Sequence, residues 1–80
     1  MPDKSKSDRT LDCVGLYCPE PVFRTRQELD KLSFGQILEL IADDPAAEAD
    51  IQSLVKRTGH KLLTIWKESN QIHFLIKKMK

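Results

Sequence analysis

Ile37-Leu38-Glu39-Leu40-Ile41 is an almost unbroken apolar run, and no other segment restricts the fold as strongly. A strand of this kind suits a central position in a sheet, largely buried on both faces, rather than an edge. Gly35 marks the turn into it, and the strand is expected over residues 36–42. The rest of the chain supplies partners. Residues 10–14 form a short strand and residues 19–32 a helix. A second helix begins around Pro45 with Asp44 as its N-cap, and runs through Ile51, Leu54 and Val55 to Thr58, where Gly59 stops it. Residues 61–68 and 71–78 pair as a hairpin across Ser69-Asn70, with Leu63, Ile65, Ile72, Phe74 and Ile76 expected to face inward and His73 outward. The order is β-α-β-α-β-β. Apolar faces on both helices and on the sheet require mutual cover, so the expected class is α/β, an α+β two-layer sandwich with two helices packed on one face of a four-stranded mixed sheet.

Residues 1–9 carry no periodic apolar positions and are expected to form a flexible N-terminal tail, leaving residues 10–80 as one domain. A chain of eighty residues buries only about 60% of the surface it exposes when unfolded, and it holds no second domain to house a cofactor. Thirteen basic residues against twelve acidic ones give a net charge of +1. That balance supplies no electrostatic reason for direct nucleic-acid or membrane binding, so protein partners are expected. No apolar run approaches the roughly 20 residues of a membrane span, and the polar start contains no signal-peptide core. The expected location is the cytoplasm.

The residue types that carry chemistry converge on Cys18. It follows Gly15-Leu16-Tyr17 and precedes Pro19-Glu20-Pro21, where an extended segment gives way to a helix. The first N–H groups of a helix lack intrahelical acceptors and, with the aligned peptide dipoles, favour thiolate over thiol. With Cys18 as N-cap, Pro19 falls at the first helical position, where its fixed φ fits and its missing N–H costs nothing. The two prolines stiffen the turn at the expense of donors, and Glu20 opposes a thiolate beside it, so the motif positions the sulfur more than it acidifies it.

Cys13, five residues earlier, is either a small buried residue at a strand end or a resolving thiol for Cys18. Two thiols at C-x4-C spacing do not make a structural zinc site or a thioredoxin-like pair, so no metal is expected. Asp43-Asp44 precedes a helix, where capping explains Asp44 without a ligand. His60 follows Gly59 at a helix end, where the dipole favours an imidazolium and no catalytic task is needed. Arg24 lies four residues from both Glu20 and Glu28, and Arg26 four before Asp30, so surface ion pairs account for both.

Thr10-Leu11-Asp12, then Gly15-Leu16 and Cys18-Pro19-Glu20-Pro21-Val22, then Gly35, Ala42-Asp43-Asp44-Pro45, Asp50-Ile51 and Gly59-His60 together resemble the TusA/SirA (YhhP-like) family of small sulfur carriers. The resemblance spans about residues 10 to 78, and Cys-Pro-x-Pro is its most specific part. It implies a two-layer α/β domain whose cysteine, here Cys18, takes sulfane sulfur as a persulfide from a protein donor, a cysteine desulfurase or rhodanese-type enzyme. An acceptor protein in tRNA 2-thiouridine modification, molybdenum-cofactor assembly or sulfur metabolism then receives it. It also implies that Gly15, Pro19, Glu20 and Pro21 position the sulfur, and that Arg26, Asp43 and Asp44 touch partners. The carrier is expected to act as a monomer with no cofactor. Two other readings stay open: a non-catalytic regulatory or protein-interaction module, with the Cys-Pro-x-Pro turn as a plain cap, and a Cys13/Cys18 thiol redox switch.

Overall fold

In the computed structural model, which describes residues 7–17 and 20–80, the chain forms β1 (Arg9–Cys13), α1 (Glu20–Lys31), β2 (Ile37–Ala42), α2 (Ala46–Thr58), β3 (Lys61–Glu68) and β4 (Gln71–Lys77). The sheet order is β1-β2-β4-β3, so the apolar run of β2 is internal, as its composition requires. β1 pairs parallel with β2, and β2–β4 and β4–β3 are antiparallel. Both helices pack on one face of this mixed sheet.

Each helix presents a stripe to the sheet. Pro21, Thr25 and Leu29 of α1 recur every four residues and are buried. Ala47, Ile51, Leu54 and Val55 do the same for α2, the pattern of an amphipathic helix on an apolar layer. They meet Leu38, Leu40, Phe74 and Ile76, all with no exposed surface. Complete burial of side chains of this size contributes about 1.5–3 kcal/mol each. Gly59 ends α2 at φ 80° with its N–H donating to the Val55 carbonyl at 3.0 Å, the left-handed cap for which glycine has no Cβ penalty. Ser69 and Asn70 both take positive φ, 49° and 67°, as a two-residue hairpin turn of the primed type requires.

Four details depart from the sequence reading. Ordered pairing begins before residue 10: Asp8 N–H donates to the Ile37 carbonyl at 2.7 Å, and the Asp8 carboxylate accepts the Ile37 N–H at 2.8 Å. Arg9 thus opens β1, and Asp8 is tied to β2 just before it by one backbone and one side-chain hydrogen bond, neither of which needs an apolar side chain. At the start of α2, Pro45 occupies the N-cap position. Asp44 stands one residue earlier and still caps, its Oδ1 accepting the Ala46 N–H at 3.1 Å.

Leu63 does not face inward: it is exposed, and Leu62 packs against the core instead. The cause is an irregularity in β3, where Leu62 pairs with Ile76 but Thr64 with Leu75, and an extra residue of this kind resets the in/out alternation. Ile65, Ile72, Phe74 and Ile76 do face the core as expected. His73 is not solvent-facing but only 4% exposed. It stacks on Trp66, its cross-strand partner, with ring centroids 4.8 Å apart and an angle of 12°. Its Nδ1 lies 3.4 Å from the buried Glu39 carboxylate. Alternation along β2 and β4 puts this pair on the sheet face opposite the helices.

Candidate functional site

Parallel pairing brings the two loops of interest together. Cys13 is registered opposite Ala42 at the ends of β1 and β2, so the chain leaves both strands side by side and on the same rim of the sheet. The loop after β1 is held by short-range hydrogen bonds. Val14 N–H donates to Asp12 Oδ1 at 2.9 Å, and Leu16 N–H to the Cys13 carbonyl at 3.1 Å. Gly15 takes φ 85°, which an L side chain adopts only with strain. That conformation accompanies the tie between the loops, a 2.9 Å hydrogen bond from Gly15 N–H to Asp43 Oδ1. Three successive donors are therefore committed before the chain reaches Tyr17.

Cys18 and Pro19 lie outside the described residues, but the residues that bracket them do not. Glu20 N–H donates to the Tyr17 carbonyl at 2.8 Å, which fixes the distance between the two flanks. Glu20 opens α1 at its electropositive end and pairs with Arg24 at 3.6 Å. Pro21 is buried, which seats the first turn of α1 on the core, and its carbonyl accepts the Thr25 hydroxyl at 2.6 Å within the helix. Glu28 does not engage Arg24; it pairs with Arg9 and, at 3.3 Å, with Lys31. That tie runs from β1 to the middle of α1.

Asp43 and Asp44 sit on this rim. Asp43 lines a recess of about 460 Å³ together with Pro45, Glu48, Lys67 and Asn70, while Asp44 serves the first turn of α2. Arg26 does not join them. It lies towards the C-terminal ends of the helices beside Asp30, Arg57 and His60, and the ion pair expected with Asp30 is absent among the described residues. Among the described residues no three Cys, His, Asp or Glu side chains converge as metal ligands would.

Cys13 has no exposed surface. Burial pushes its thiol up, against a smaller lowering by Arg24, so a Cys13 thiolate is disfavoured where it stands. Two rim residues carry a surface feature that the sequence reading did not bring out: Tyr17 is 77% exposed and Phe23 58%. Together with Val14, also exposed, they put large apolar side chains on both flanks of position 18. An aromatic residue directly before the cysteine, in a loop with no core to enter, was the available signal.

Comparison with known proteins agrees with this arrangement. The family model described as Sulfurtransferase TusA matches residues 9–78. A putative sulfur carrier protein of Archaeoglobus fulgidus is 48% identical over 73 residues, covering 90% of this chain and 95% of the relative. The sulfur carrier protein TusA of Allochromatium vinosum is 42% identical over 71 residues, covering 89% and 93%. In three dimensions, the crystal structure of a SirA-like protein from Desulfitobacterium hafniense superposes with a TM-score of 0.80 at 23% identity, covering 90% of this chain and 99% of that one, a likeness of fold. With a family model spanning nearly the whole folded chain and relatives matched almost end to end, this chain belongs to the TusA family.

Proposed function

We propose that this protein is a sulfur carrier that accepts sulfane sulfur on Cys18 and passes it to a second protein. The observation that carries this reading is the extent of the likeness, since the sulfur-carrier relatives of Archaeoglobus fulgidus and Allochromatium vinosum are each matched over more than nine-tenths of their own length. The rim geometry supports it. A loop tied by Gly15 to Asp43 and a helix anchored through Pro21 form a stiff mount on either side of the cysteine, and exposed Tyr17 and Phe23 suit contact with a protein rather than a small molecule.

The chemistry is two thiol exchanges. The Cys18 thiolate attacks the terminal sulfur of a donor persulfide, R–S–SH; the S–S bond of the donor breaks, its thiolate leaves, and Cys18–S–SH forms. An acceptor thiolate then attacks that terminal sulfur and the Cys18 thiolate departs. No net oxidation occurs and no cofactor is consumed. A carrier must be good both as nucleophile and as leaving group, which favours a moderately acidic thiol over an extreme one. Cys13, buried and with its thiol pushed up, serves packing rather than resolution in this scheme. The donor is a desulfurase or rhodanese-type persulfide, and the acceptor a protein thiol of tRNA thiolation, molybdenum-cofactor assembly or sulfur metabolism.

Incubation of wild type, Cys13→Ser and Cys18→Ser with a cysteine desulfurase and cysteine tests the loading step. Intact mass should rise by about 32 Da, one sulfur atom on a thiolate, in the first two and not in Cys18→Ser. No gain in wild type would reject the relay in favour of an interaction module.

A further inference from the structure

The end of the molecule away from Gly15 and Asp43 gathers several cations, and the sulfur transfer proposed at the rim gives them no task. Between the last turns of α1 and α2 lies a cavity of about 370 Å³, bordered by Arg26, Asp30, Arg57, His60, Lys78 and Lys80. Four of these six are cationic and one is a carboxylate.

Helix dipoles explain part of this. Lys78 Nζ donates to the Leu29 carbonyl at 2.5 Å, satisfying the open end of α1, and Lys56 and Arg57 stand in the last turn of α2. Two helix C-termini, however, amount to only about one unit of negative charge. Four cations against one carboxylate exceed that. Neither Arg26 nor Arg57 pairs with a carboxylate among the described residues. The excess continues onto the neighbouring sheet, where Lys61 and Lys77 are direct cross-strand partners, a like-charge placement that destabilises a bare sheet.

His60 adds a donor. Met79 N–H donates to His60 Nδ1 at 3.1 Å, so Nδ1 is the acceptor nitrogen and Nε2 carries the hydrogen of the neutral ring. Burial, then Lys78 and Lys80, push the His60 pKa down, which keeps that tautomer in place. Lys80 is held over the site as well: its chain lies so close to Gly59 that a Cβ there would stand 2.9 Å from Lys80 Cε. Guanidiniums, an ammonium and a neutral N–H around one concavity match the oxygens of a tetrahedral anion.

We propose that this cavity is a binding site for a phosphate group, held by Arg57, Arg26 and Lys80 with His60 as a neutral donor. The proposal is independent of the sulfur chemistry on the opposite rim. The phosphate is either a free ion or part of a nucleic-acid backbone, and both present the same oxygens.

The test is an amide and imidazole NMR titration of the full chain with inorganic phosphate at ionic strength fixed with sodium chloride, then with a short single-stranded oligonucleotide. Saturable shifts confined to the neighbourhood of Arg26 and to residues 56–61 and 78–80 are expected, with the His60 titration midpoint rising as bound phosphate offsets the lysines. Arg57→Gln and Lys80→Gln should each weaken binding about tenfold, the usual scale for losing a charge-assisted hydrogen bond. A backbone source is indicated if the oligonucleotide binds tighter than phosphate with a steep salt dependence, and a free ion if it does not. Shifts that fail to saturate, that spread over every lysine, or that are unchanged in both variants would overturn the proposal.

Discussion

Replacing Asp43 with alanine removes the oxygen that accepts the Gly15 N–H at 2.9 Å and leaves that donor to water. A hydrogen bond to a charged group contributes about 1.5–3 kcal/mol, but Asp43 is exposed and water competes for both partners, so the expected loss is about 1 kcal/mol. On that scale Gly15 amide exchange should quicken about fivefold under native conditions. Tm should fall by about 4–8 °C, the usual response of a domain this size. Asp43→Asn keeps a carbonyl oxygen in place and should recover more than half of both effects. Sulfur loading separates two roles for the residue. If Asp43 acts by fixing the loop, Asp43→Asn loads nearly as fast as wild type and Asp43→Ala more slowly; if its charge meets the donor protein, both variants are equally slow. Unchanged Gly15 exchange and unchanged Tm in Asp43→Ala would refute the clamp.

Other outcomes follow from the core and the titrating groups. Phe74→Ala should cost about 3–5 kcal/mol in urea unfolding, whereas Leu63→Ala, at the irregularity of β3, should stay within about 0.5 kcal/mol; similar losses would contradict the register shift. Native alkylation at mildly alkaline pH should modify one thiol of two, with Cys13 reacting only after denaturation, because burial raises it; two equally fast thiols would contradict its packing role. His60, pushed down by burial and by Lys78 and Lys80, binds its proton less readily folded than unfolded. Its contribution to stability is thus full above the unfolded value of about 6.5 and is lost as pH falls through the lower folded value. His60→Gln should flatten that acid limb in urea unfolding, and an unchanged pH dependence would contradict it.

What could be read from the sequence was local. Both ends of β3 were set by Gly59 before it and by Ser69-Asn70 after it, turn residues whose φ values are positive in the structure, and β2 declared its central position through its own apolar run. What escaped depended on partners distant in the chain. His73 looked like an outward residue of an alternating strand, yet Trp66 and Glu39, supplied by two different neighbours, bury it. Leu63 was misassigned because an extra residue in β3 leaves no mark on periodicity. Arg26 offered a plausible helical partner in Asp30, but the two instead border a cavity completed by Arg57, His60, Lys78 and Lys80. On the rim, Gly15 and Asp43 were both named from motif resemblance. Their hydrogen bond, across 28 positions, follows only from the parallel pairing of β1 with β2.

The central claim is that sulfur both arrives at Cys18 and leaves it, and peptide mapping by tandem mass spectrometry of the charged and then discharged protein tests it most directly. After loading by a desulfurase, the added mass of about 32 Da should map to Cys18 and not Cys13, and it should disappear when a thiolate acceptor is supplied, with one sulfur appearing on the acceptor. Sulfur located on Cys13, or sulfur on Cys18 that no thiolate removes, would contradict the account.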